Sequence, residues 1–166
     1  MPSSACESAA RAVIDGLRQG SLRIAAGLFV IALSLSLAWE IAQMPAFGPA
    51  GQSLGLGSCA VAATWDAAAI VGLYLWGVVW TGRADWIRTA GTIGYGMLVG
   101  PGLLLGILAE IVAVHLLAWW DYRPSMPRIP IVQVGLWPTL SLAVITPLSA
   151  WTAQWVLALQ PAARGT

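Results

Sequence analysis

The chain has 166 residues, of which 58% are hydrophobic and only 9% charged, and its mean hydropathy is +0.78. A soluble domain of this length covers its outside with about 25% charged residues, so lipid is the solvent that this composition fits. A net charge of +1 without a basic run argues against nucleic acid as a partner, and two cysteines as distant as Cys6 and Cys59 support neither a disulfide framework nor a zinc finger.

The first element in chain order is a short helix at the membrane surface. Residues 5–20 interleave Val13, Ile14 and Leu17 with Arg11, Asp15 and Arg18, the pattern of an amphipathic helix lying in the interface. Basic residues before an apolar run also resemble a secretory signal; Glu40 soon after that run, and three further apolar stretches, favour a retained helix.

Four apolar stretches follow, over residues 24–45, 58–80, 91–120 and 131–159. Each is long enough to cross about 30 Å of hydrocarbon, for which roughly 20 helical residues suffice. Met44-Pro45 ends the first. The third exceeds the need and holds Pro101, and the fourth carries Pro138 and Pro147, so tilt or bending is expected in both. Prolines there leave carbonyls unpaired, which hydroxyls such as that of Thr146 can satisfy. The expected architecture is thus all-α: one integral membrane domain, a four-helix transmembrane bundle with a short N-terminal interfacial helix.

Arginine placement sets the orientation. Arg11, Arg18, Arg23, Arg83, Arg88 and Arg164 fall on one side, and only Arg123 and Arg128 on the other. The positive-inside rule then puts both termini in the cytoplasm of a bacterial inner membrane. Trp80, Trp86, Trp151 and Trp155 form an expected inner aromatic belt, and Trp119, Trp120 and Trp137 an outer one. In the third stretch, Gly96-x-x-x-Gly100 and Gly102-x-x-x-Gly106 allow close helix approach. That places this helix at the centre of the bundle, or at the contact of a homo-oligomer.

Three carboxylates sit inside the apolar stretches: Glu40, Asp66 and Glu110. Each costs about 2.5–3.5 kcal/mol at a helix centre on insertion scales, and all three lie in the outer half of their spans. With Gln43 one turn beyond Glu40, and His115 above Glu110, they fall in a slab roughly 10 Å thick at about 1.5 Å of rise per residue. Intramembrane ionisable residues mark function by default, so Glu40, Gln43, Asp66, Glu110 and His115 are the candidate binding residues. Glu40, Asp66 and Glu110 are the candidate metal ligands, because oxygen donors suit magnesium, calcium or manganese. Trp39 and Trp65 adjoin two of the acids and are expected to pack, with pocket lining as the other reading. Arg123 and Arg128, in the most charged outer loop, offer forked hydrogen bonds to an anionic headgroup; an ordinary loop with Asp121 paired to one arginine is preferred.

At these residues the chain resembles a group of small uncharacterised bacterial membrane proteins. The likeness lies in Trp39-Glu40-x-x-Gln43-Met44-Pro45, Cys59 with Ala63-Thr64-x-Asp66, Glu110, Trp120-x-Tyr122, Met126-Pro127 and Gly135-Leu136-x-Pro138. Trp65 departs from that pattern, where glycine is expected. The resemblance implies a fold and a residue set, and no reaction.

Several machineries are missing from the sequence: there is no Walker loop, no G-x-S-x-G elbow, no H-E-x-x-H helix, and one histidine cannot make a bis-histidine haem site. Three functions stay open. The leading one is an outer-facing acidic site that binds a cation or exchanges protons. The second is an enzyme that works on a lipid or isoprenoid by carboxylate acid–base chemistry. The third is a structural subunit of a membrane complex.

Overall fold

A computed structural model describes the backbone of residues 4–48 and 55–158, and the side chains of residues 18–48 and 55–156. It is 80% helical, which establishes the all-α class. Four long helices carry it: α1 (Ser4–Gln43), α2 (Leu56–Thr81), α3 (Gly91–Glu110) and α4 (Leu136–Ala158). Two-residue strands β1 (Phe47–Gly48) and β2 (Asp121–Tyr122) join the loops beyond α1 and α3. The side chains of the predicted surface helix up to Leu17, Arg164 and the last residue of the predicted fourth span lie outside the described residues.

The helix ends have local causes. α1 runs unbroken for 40 residues, about 60 Å at 1.5 Å per residue, so the predicted surface helix is continuous with the first span rather than a separate element. It stops at Gln43 because Pro45 has no N–H to return to the carbonyl of Ile41, and the chain tightens into a 3₁₀ turn over Met44–Ala46. α2 ends at Gly82, whose φ of 68° is the left-handed cap position and whose N–H reaches Val78 O at 2.8 Å. α3 passes through Pro101 and continues as a π-helical turn over Ile111–Leu116. The third helical stretch therefore stops four residues short of the predicted 120.

The fourth helix corrects the sequence reading more strongly. It begins at Leu136, not at 131, because residues 128–135 form a turn in which Ile129 N–H meets Val134 O, and Gln133 takes a φ of 55°. Pro138 then falls in the first turn, where its missing N–H removes no intrahelical bond. Thr146 Oγ1 donates to Leu142 O at 2.5 Å, not to the Ala143 carbonyl that Pro147 leaves free.

Three helical stretches are long and apolar enough to cross a membrane: Arg18–Ala46, Leu56–Thr81 and Gly91–Leu116. α4 carries Thr139, Ser141, Thr146 and Ser149, all buried. Packing explains its polarity. α4 lies between α1 and α3, α1 packs on α2, and α2 and α3 approach each other only slightly. A helix shielded by neighbours on both sides can carry hydroxyls that a lipid-facing helix cannot. The most enclosed helix is thus α4, where the glycine spacing placed α3.

The glycines of α3 divide into two faces. Gly102 and Gly106 are buried against α4, where an added Cβ would strike the carbonyls of Leu142 and Thr139. Gly96 and Gly100 are exposed, with open space where a Cβ would stand. The four glycines therefore cannot form one oligomer contact, because the second pair is used within the chain.

Each end of the bundle is closed by a tryptophan or tyrosine drawn inward. At the arginine-bearing end Trp86 is only 4% exposed. Its indole lies over Gly77, stacks on Tyr74 at 6.4 Å and donates Nε1–H to Tyr74 O at 3.1 Å. The Tyr74 hydroxyl returns a bond to Ala84 O at 2.7 Å. Trp86 is thus a core residue and not a belt anchor, whereas Trp80, Trp151 and Trp155 are exposed as a belt requires. At the other end Trp119 and Trp137 are exposed, but Trp120 turns inward beside Phe47 in an edge-to-face pair at 5.9 Å.

Candidate functional site

β1 and β2 pair antiparallel, Phe47 opposite Tyr122 and Gly48 opposite Asp121, and so tie the end of α1 to the loop after α3. Phe47, Tyr122 and Met126 are the buried members of a small apolar cluster of their own, separate from the main core. The Tyr122 ring packs close to Gly135, where a Cβ would meet the ring and Pro138. Arg128 lies over the ring, 5.3 Å from its centroid, and donates to Tyr122 O at 3.2 Å. The guanidinium is 3.9 Å from Asp121, the arginine contact expected for that loop.

This cap sets the Tyr122 hydroxyl on the first acid. Tyr122 Oη donates to Glu110 Oε2, and both residues are buried. Burial, and then the neighbouring Glu110, push the Tyr122 phenol above its ordinary range, so the hydroxyl holds its proton and stays a donor. The indole nitrogen of Trp120 is buried beside the same carboxyl without a hydrogen bond of good geometry.

The other two acids come from α1 and α2. Gln43, only 7% exposed, donates Nε2–H to Glu40 Oε1 at 2.9 Å, as residues one turn apart on a helix can. Asp66 sits beside Ser141 of α4 and is under the charge of both Glu40 and Glu110, and Glu110 in turn is under that of Glu40. Four helices therefore contribute to one region: Glu40 and Gln43 from α1, Asp66 from α2, Glu110 from α3 and Ser141 from α4. Buried Cys59 is near Glu40 as well.

Hydrogen-bonding capacity is left over there. Gln43 Oε1, Asp66 Oδ2 and Trp39 Nε1 are buried without a partner, a state that costs about 1–3 kcal/mol for each group unless something fills it. Among the described residues no three His, Cys, Asp or Glu side chains are grouped so as to hold a metal ion. The three acids share a field but do not form a ready coordination shell.

Some predicted members lie elsewhere. His115 is exposed, and its Nε2 is 2.9 Å from Val132 O of the outer loop, so it belongs to that loop and not to the acidic group. Trp65 is 72% exposed. Thr64 is exposed and bonds its own helix at Ala60 O, 2.7 Å away. Conversely Tyr122, Trp120 and Ser141 are site residues that the polar-residue count missed. For the first two, the Trp120-x-Tyr122 pair beside a charged loop was the available signal. His115→Ala is expected to leave any pH or cation response of the protein unchanged, read by thermal unfolding across pH; a lost response would put the imidazole back in the site.

The class that fold and site define is an all-α protein with three membrane-span-like helices and a polar group of acids beneath a small cap. No protein-family model, curated protein or solved structure matches the chain.

Proposed function

We propose that this is a four-span protein of the bacterial inner membrane, with both termini cytoplasmic, which works at its outer-facing acidic site by exchanging protons or binding a small cation. The observation that carries this reading is the unfilled polar set around Glu40, Asp66 and Glu110: Gln43 Oε1 and Asp66 Oδ2 are buried acceptors without donors. Acids that only fasten helices together end in closed pairs, and no arginine lies between residues 24 and 82 or between 89 and 122 to neutralise them. A proton or a donor-bearing cation supplies what two spare acceptors lack.

Two observations favour this reading over its rivals. A lipid-modifying enzyme needs a lateral apolar pocket of roughly 300 Å³ reaching the acids, and Trp65, 72% exposed, faces away from such a pocket. A structural subunit would use the acids to meet a partner's arginines, yet Glu110 is already engaged by Tyr122.

The test is thermal unfolding of the purified protein, with Asp66→Asn and Glu110→Gln, across pH and with magnesium, calcium, manganese or chelator. A ligand of the folded state at a hundred times its Kd adds about 2.7 kcal/mol. Wild type is expected to show a pH step or a cation-dependent rise that both variants lose. Variants that track wild type, or that are less stable by the same amount under every condition, would leave the acids a fastening role. Reporter fusions at either terminus check the orientation.

A further inference from the structure

One face of α1 carries its share of the acidic site and continues one turn further inward than Glu40. Ser36, Trp39, Glu40 and Gln43 stand at positions i, i+3, i+4 and i+7, the spacing of a single helical face. At about 1.5 Å of rise per residue this face is about 10 Å long. Ser36 is fully buried and Gln43 is 7% exposed, so the face is turned into the bundle. Three of its four side chains keep a buried polar atom without a partner: Ser36 Oγ, Trp39 Nε1 and Gln43 Oε1. Ser36 is the telling case. Ser34, Thr64, Thr139 and Thr146 each donate to the carbonyl four residues before them, a local bond open to any helical hydroxyl. Ser36 makes no such bond to Ala32 O, and its hydroxyl is left to something other than its own helix.

The types of atom say what fits. Gln43 Oε1 and Asp66 Oδ2 accept, the Trp39 indole only donates, and the Ser36 hydroxyl does both. A bare metal cation would satisfy the two acceptors but would face the positive end of the indole N–H. A molecule that both donates and accepts serves all four groups. Water is the smallest that does, and a buried water takes about three such bonds.

We infer that the acidic site holds ordered water along this face of α1, and that its ligand is the proton and not a metal cation. The inference rests on the acids being a working site, as proposed above, and decides between the two ligands named for it. A proton arriving as hydronium passes to a carboxylate, which becomes the neutral acid, and the water it leaves stays in place. The titratable groups around Glu40 are Asp66 and Cys59 of α2 and Glu110 of α3, which Tyr122 holds. From α4 comes Ser141, and that helix has no charged residue. Ser36 and Trp39 are positioning residues, which hold the water that meets the carboxylates.

The experiment is thermal unfolding of the detergent-purified full chain across pH, with Ser36→Ala and Trp39→Phe beside wild type. Removing a dry, unpaired hydroxyl raises stability, whereas removing one bonded to water lowers it. Ser36→Ala is expected to melt about 2–4 °C below wild type, the loss of one hydrogen bond in a chain of this size. Each variant removes a donor that favours the charged carboxylates, so the midpoint of the pH step should rise by about half a unit. Trp39→Phe keeps that reading available if Ser36→Ala folds poorly. Magnesium, calcium and manganese, at an ionic strength matched with sodium chloride, should leave the wild-type melting temperature unchanged. A higher melting temperature for Ser36→Ala, with both midpoints unmoved, would overturn the water, while a wild-type pH step would still stand for a working site. A cation-dependent rise that Asp66→Asn loses would overturn the proton as ligand and leave a cation site. Neither a pH step nor a cation response in wild type would overturn the working site and this inference together.

Discussion

Gly106→Leu is expected to leave no folded bundle, and Gly106→Ala to lose about 1–3 kcal/mol, the usual cost of an added group in a packed interior. Gly106 approaches the backbone of Thr139, and Gly102 that of Leu142. A carbonyl cannot swing aside as a side chain can, so a larger residue must push α3 off α4. Since α4 also packs against α1, the displacement reaches the rest of the core. Gly100→Leu is the control: nothing stands where its side chain would go, and the melting temperature should stay at or above that of wild type. Size-exclusion profiles and thermal unfolding read both. A Gly106→Leu protein as stable as wild type would refute this α3–α4 packing. Chemical cross-linking of the Gly100→Leu protein decides the remaining oligomer reading, because self-association through Gly96 and Gly100 would be lost while the fold persists.

The two glycine pairs also mark how far the sequence can be read. Spacing identified a surface made for close approach, but Gly96 and Gly100 have the same spacing as Gly102 and Gly106. Only the placement of α4 separates the exposed pair from the packed one. Helix ends were legible where one residue enforces them, as Pro45 does. The start of α4 was not, because Ile131 to Leu136 reads as apolar while a bridge between Arg128 and Gly135 folds it into the outer cap. Trp86 read as a belt residue on position alone, and its burial depends on Gly77, nine residues earlier on α2, over which its ring lies and which no local pattern links to it. The carboxylates were legible because charge in an apolar stretch is costly wherever it lies. Gln43 was legible with them, one turn from Glu40; Tyr122 was not, because it reaches Glu110 only after two short strands bring separate loops together.

Tyr122→Phe is the second substitution with a large expected effect. It removes one oxygen from a buried ring and leaves the shape that Gly135, Phe47 and Arg128 enclose, so the loss reports the hydroxyl and not the packing. A hydrogen bond to a charged group contributes about 1.5–3 kcal/mol, and the variant should lose stability in that range. A cycle with Glu110→Gln separates the pair from its surroundings: if the two groups act on each other, the double variant should lose less than the sum of the single losses. Coupling near zero would mean that the phenol and the carboxyl are neighbours without a working bond. The pH dependence gives a second reading. The folded-state value of the Tyr122 phenol lies above its unfolded value, so the folded state favours the proton-bound form. Its contribution is complete below the ordinary phenol value of about 10, and declines as pH rises from there toward the folded value. Wild type should therefore lose stability over that alkaline window by more than Tyr122→Phe does. If Tyr122 also positions Glu110 for proton exchange, the phenylalanine variant should shift the midpoint of the pH step expected of the acidic site and keep its amplitude, whereas Glu110→Gln should abolish it. Loss of a hydroxyl that only braces the cap would lower stability equally on both sides of that step and move no midpoint.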